Sequence, residues 1–131
     1  MIVCKSSSEV DRMRAANQLV ADVLCELKTM VEPGVTTNQL DTVAETRIRA
    51  VGAKPAFKGY QGYPSTICAS VNDAVVHGIP SDEALKDGDI ISLDIGVVLG
   101  GYYGDSAVTI GVGSVSDRAS KLMTVTSEAL E

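Results

Sequence analysis

The chain has 131 residues, 45% of them hydrophobic, and a formal net charge of −6. That length fits one domain, residues 1–131, with room for a real core, and the apolar share excludes a disordered chain. The eleven basic residues are scattered singly, which excludes a nucleic-acid surface, and no segment approaches the roughly 20 apolar residues of a membrane span.

Cys4, Cys25 and Cys68 are widely spaced with no C-x-x-C pair, which suits a reducing cytoplasm better than a disulfide framework. The opening MIVCKSSSEVDR has too short an apolar run, and acidic residues too early, to read as a secretory signal.

Ser6 with Glu9 forms a capping box before a helical pattern at Val10, Met13, Leu19, Val20, Val23, Leu24, Leu27 and Met30 or Val31. Pro33-Gly34 ends it. Thr36 with Gln39 opens a second helix, with Leu40, Val43, Ala44, Ile48 and Val51 on one face and Gly52 at its close. Both stripes read as scaffold. Residues 53–65 read as a loop rich in glycine, proline and aromatics.

From Thr66 the period becomes strand-like, in runs TICASV and AVVHGI joined at Asn72-Asp73. Lys86-Asp87-Gly88-Asp89 is a turn signal, and Ile90–Val98 and Tyr102–Ile110 are β-rich runs around Leu99-Gly100-Gly101. Ser116 caps a last amphipathic helix with Ala119, Leu122, Met123, Thr126 and Leu130 on one side. The order predicts an α+β fold: an antiparallel sheet of two hairpins, two long helices on one face, and a C-terminal helix.

Chemistry concentrates in Val71–Pro80, VNDAVVHGIP, and in the hairpin segment that follows. The only histidine, His77, lies in the first, and Asp94 and Asp105 interrupt apolar or glycine-rich strands in the second. Strands disfavour Asp, and a buried charge is costly unless paired or metal-bound. A turn on Leu99-Gly100 places Asp94 directly opposite Asp105, whereas a turn on Gly100-Gly101 makes them diagonal on the same face. Such carboxylates repel, so one is protonated or a cation sits between them. The plainer reading has them capping turns or pairing with Lys or Arg on a solvated face. Gly96, Gly100, Gly101 and Gly104 are read as room near the carboxylates.

His77 precedes Gly78-Ile79-Pro80, a sharp turn where an imidazole can bond a substrate or shuttle a proton, or simply make a structural hydrogen bond. Phe57, Tyr60 and Tyr63, with Cys68 close by, gather in or beside one loop, which suggests an apolar pocket wall or plain loop packing.

The segments FKGYQGYPSTICASVNDAVVHGIP (57–80) and LKDGDIISLDIGVVLGGYYGDSAVTIGVG (85–113) resemble the N-terminal half of type I methionine aminopeptidases, of the pita-bread metallopeptidase fold. The resemblance extends over essentially the whole chain, and its motifs N-x-x-V-x-H-G-I-P and G-D-I…D-x-G…G-x-x-G-D-x-x-x-T separate these enzymes from proline dipeptidases. It implies removal of N-terminal methionine from peptides. By this resemblance Asp94 and Asp105 match metal-ligating aspartates of a site for two divalent ions (Co, Mn, Fe or Zn). His77 matches the catalytic-site histidine that contacts the substrate's amino end and scissile amide. Phe57, Tyr60, Tyr63 and Cys68 match the wall of the methionine side-chain pocket, with His77 also substrate-binding.

The family's other ligands, a histidine and two glutamates, belong to its second half, and Glu128 and Glu131 match none of them. The resemblance therefore implies half a site, weakly active or inactive alone. The expected partners are a peptide or nascent-chain N-terminus and either a complementary C-terminal half or a second copy. Two copies would pair Asp94 and Asp105 about a twofold. A non-catalytic module that binds peptide through the aromatic loop is the third reading.

Overall fold

Ser6 starts the first helix as its spacing predicts. In the computed structural model, which describes residues 3–130, its hydroxyl accepts from the Glu9 amide while the Glu9 carboxylate accepts from the Ser6 amide at 2.7 Å. Glu131 lies outside the described residues. Helix α1 (Ser7–Met30) buries Ala16, Val20, Val23, Leu24 and Leu27. Helix α2 (Thr37–Ala50) opens on the reciprocal Thr36–Gln39 pair and buries Thr37, Leu40, Ala44 and Ile48.

Four antiparallel strands meet these helices. Strand β3 (Ile90–Leu99) is central, paired along its whole length with β4 (Tyr102–Gly111) and on its other edge with β2 (Ile67–Val71) and β1 (Lys54–Pro55). On β3, Ile91, Leu93, Ile95 and Val97 are fully buried and belong to the same core as the helix stripes. Ser92, Asp94 and Gly96 alternate onto the opposite face. Helix α3 (Asp117–Glu128) starts at Ser116, whose hydroxyl accepts from the Ala119 amide at 3.2 Å, and buries no residue.

The α+β class and the antiparallel sheet are as expected, with two differences in detail. First, AVVHGI forms no strand: Val75 and Val76 are exposed, and His77 has a left-handed backbone (φ 59) that breaks a pleat. Beyond the turn bond from the Ala74 amide to the Val71 carbonyl at 3.0 Å, the segment's backbone meets β2 at Gly78, whose carbonyl accepts from the Ala69 amide at 2.8 Å. Residues 72–89 thus join β2 to β3 as a long connection, leaving β3–β4 the one tight hairpin among the described residues. Second, the segment read as a loop contributes β1, two residues long, opposite Val97 and Val98. Of the two turns left open by the sequence, the hairpin takes Gly100-Gly101, with Leu99 opposite Tyr102. Both turn residues have positive φ (58 and 84), which only the glycine pair supplies without strain.

Candidate metal and peptide site

That turn fixes the register of the two carboxylates. Asp94 pairs with Ala107 and Asp105 with Gly96, so they lie diagonally on one face rather than directly opposite. The direct pairing considered from the sequence is therefore corrected, while the shared face stands, because a two-residue slip preserves the strand's period. Asp94 is half-buried and Asp105 exposed. Burial, with the Asp105 charge beside it, pushes the Asp94 carboxyl above the ordinary range, and His77 opposes that rise.

Both aspartates line one cavity of about 600 Å³ together with Phe57, Tyr60, Tyr63, Cys68 and His77. All seven residues singled out from the sequence therefore meet at one place. Tyr60 stands exposed at the rim, in the 3-10 turn Tyr60–Gly62. Cys68 is buried on β2 opposite Asp94, and its thiol is pushed up by burial and by both carboxylates, against the lowering effect of Tyr63. Tyr63 turns its hydroxyl away from a purely apolar role and donates to the carbonyls of Ile67 and Gly78, each at 3.0 Å. Burial is the first cause of its raised pKa.

The glycines do more specific work than leaving space. An added Cβ on Gly96 would lie 2.5 Å from Phe57 Cε1, so the Phe57 ring already occupies the gap beside the carboxylates. Gly104 faces the helices instead: a Cβ there would lie 2.5 Å from the Ala16 carbonyl carbon. The close approach brings α1 against β4, where the Asp105 amide donates to Asn17 Oδ1 at 3.2 Å. Spacing gave no sign of Asn17, because its contact depends on how a helix crosses a strand. Nor did it mark Asp41 on α2, which accepts from the Thr66 and Ile67 amides at 2.8 and 2.9 Å and sets the start of β2.

The donor chemistry suits a divalent cation in part. Asp94 Oδ1 is buried and has no hydrogen-bond partner, the condition a cation would relieve. Among the described residues the ion pairs are Arg47–Glu26, Arg49–Glu45, Lys58–Glu45 and Lys86–Glu83, so neither Asp94 nor Asp105 is matched by a basic side chain. No group of three or more His, Cys, Asp or Glu among those residues is arranged to hold a metal, so the two aspartates are a partial ligand set.

Fold and motif together define a metallopeptidase class. The model of metallopeptidase family M24 matches residues 11–131, and the chain belongs to that family. Methionine aminopeptidase 1 of Bacillus subtilis is 52% identical over 130 residues, covering 99% of this chain and 52% of that protein. The methionine aminopeptidase of Clostridium perfringens is 47% identical over 98% of this chain and 52% of its own length. The crystal structure of methionine aminopeptidase from Rickettsia prowazekii matches with a TM-score of 0.96 at 40% identity, again over 98% of this chain and 52% of that one. A prolidase from Pyrococcus furiosus, at 22% identity and a TM-score of 0.83, shares the fold. The architecture is half of the pita-bread fold, and the chain spans about half the length of the curated relatives it matches.

Proposed function

We propose that this chain is the N-terminal half of a methionine aminopeptidase, a single domain that contributes two metal-ligating aspartates and a substrate pocket to a site completed by other residues. The observation that carries the reading is the diagonal pair Asp94 and Asp105 at an aromatic cavity, with Asp94 Oδ1 buried and unpartnered. Asp94 and Asp105 hold divalent ions there; two per complete site, drawn from Mn, Co, Fe or Zn, would polarise the peptide carbonyl and lower the pKa of bound water. His77, on the cavity rim, hydrogen-bonds the substrate's amino end and scissile amide. Phe57, Tyr60, Tyr63 and Cys68 exclude water from the methionine side chain, and the Phe57 ring over Gly96 closes the pocket floor.

Calorimetric titration of the chain with Mn²⁺ tests the carboxylate assignment. Binding is expected for the parent chain and loss of at least about tenfold in affinity for Asp94→Ala, since one of two ligands is gone. Equal affinity in the two proteins would overturn the assignment. A methionyl-peptide hydrolysis assay is expected to give weak or no turnover, because the chain supplies part of the ligand set; turnover at the level of a full-length relative would refute that.

The apolar side chains flanking the cavity favour a protein partner as well. Val75, Val76, Leu122, Val125 and Leu130 are all exposed, and a groove of about 500 Å³ runs between the Val75-Val76 segment and α3. A complementary half of this fold, or a second copy, would cover them. Cys4, Cys25 and Cys68 are all free, which supports a reducing, cytoplasmic setting.

A further inference from the structure

His77 hangs from one anchored residue. The preceding Val75 and Val76 are exposed, and the His77 backbone is left-handed (φ 59), a conformation that residues with side chains adopt only when their surroundings enforce it. Gly78 is where the enforcement enters. Its amide donates to Ser70 Oγ at 3.0 Å, and its carbonyl accepts from the Ala69 amide at 2.8 Å and from the Tyr63 hydroxyl at 3.0 Å. Gly78 lies so close to β2 that a Cβ would run into the Ala69 carbonyl oxygen. Ser70 is 4% exposed, and the Tyr63 hydroxyl also bonds the carbonyl of Ile67, so both side chains are themselves held by β2.

We propose that Ser70 and the Tyr63 hydroxyl are positioning residues for His77: they clamp Gly78 to β2 and thereby hold the imidazole at the cavity beside Asp94 and Asp105. This gives Tyr63 a second task besides lining the pocket. Ser70, which no motif reading had singled out, gains its task from being the one side chain that meets the Gly78 amide. The inference rests on reading His77 and the two aspartates as one site.

The single histidine makes the test direct, because its imidazole Hε1 proton is one resolved NMR signal. The proteins compared are the parent chain, Ser70→Ala and Tyr63→Phe, the last removing one oxygen from a half-buried ring. The first readout is hydrogen exchange of the Gly78 amide, expected to quicken by about tenfold in each variant, the effect of losing one hydrogen bond. The second is the Hε1 signal, expected to move towards its unfolded position. The third is broadening by Mn²⁺, expected for Hε1 and for the Asp94 and Asp105 amides in the parent. In the variants it should persist at those amides but weaken by at least about twofold at Hε1, because close-range ordering is lost. Variants with parental Gly78 exchange and parental Hε1 broadening would overturn the clamp while leaving the aspartate site intact. A parent chain whose aspartate amides ignore Mn²⁺ would overturn the site reading instead, and the clamp would then be judged on exchange and Hε1 position. Unchanged values there would sink it as well.

Discussion

Asp41 occupies one turn of α2, yet it decides where β2 begins, because a single carboxylate oxygen accepts from the successive amides of Thr66 and Ile67. Removing it leaves two donors at the edge of the core without their acceptor. Asp41→Ala should therefore cost about 2–3 kcal/mol, and Asp41→Asn, which keeps an amide oxygen, about half as much. Urea unfolding measures this as a lower midpoint at unchanged slope; a midpoint equal to the parent's would mean that water serves those amides equally well. His77 teaches a related lesson. Its residue type and its Gly-x-Pro neighbourhood were readable, but its left-handed backbone was not, since strain of about 1–2 kcal/mol leaves no mark on hydrophobic period.

At the scale of elements, Gly96 and Gly104 look alike in sequence and differ in what they touch. Gly96 meets a ring, which can swing; Gly104 meets the backbone of α1, which cannot move without shifting the helix. Gly104→Ala should cost about 3 kcal/mol and Gly96→Ala about 1, with the second reshaping the cavity by displacing Phe57. Thermal unfolding ranks them, and the reverse order would show that α1 yields more easily than the ring. Asp89 ties the two ends of the β2–β3 connection together, accepting from the Asn72 side-chain amide and the Lys86 backbone amide, each at 2.8 Å. The Asn72 bond first, then Lys86, holds its carboxyl below the ordinary range. A depressed folded pKa means that the contribution is complete above the unfolded value of about 3.9 and fades as pH falls through the lower folded value. Asp89→Asn should thus be less stable than the parent at pH 7 and lose less stability on acidification from about pH 4 to pH 2. Parallel acid limbs for the two proteins would contradict it. These ties explain how far the sequence could be read. Both capping boxes, the Ser116 cap and the apolar stripe of β3 were legible because each depends on residues within a few positions. The hairpin register rested on which glycines took positive φ. The loss of AVVHGI as a strand depended on Gly78 packing against β2, a contact between segments that local pattern does not encode.

For the whole molecule, the distribution of apolar surface is lopsided. One face of the sheet is sealed by α1 and α2 over fully buried Ile91, Leu93, Ile95 and Val97. The other carries the carboxylates and is bordered by α3, which buries nothing, and by Val75 and Val76 at 83% and 64% exposure. Contiguous apolar surface of this kind drives association, whereas the net charge of −6 opposes it through repulsion that salt screens. The chain alone should accordingly sediment as a concentration-dependent mixture of monomer and dimer, shifting towards dimer as salt rises. Leu122→Asp with Val76→Asp adds charge on both sides of the apolar groove and should restore monomer at every concentration. Because both residues are exposed, the substitutions should leave the folding midpoint of the dilute protein within about 0.5 kcal/mol of the parent's. A parent chain that is monomeric at high concentration and high salt would show that this face is stable in water. An associating double variant would place the contact elsewhere on the surface.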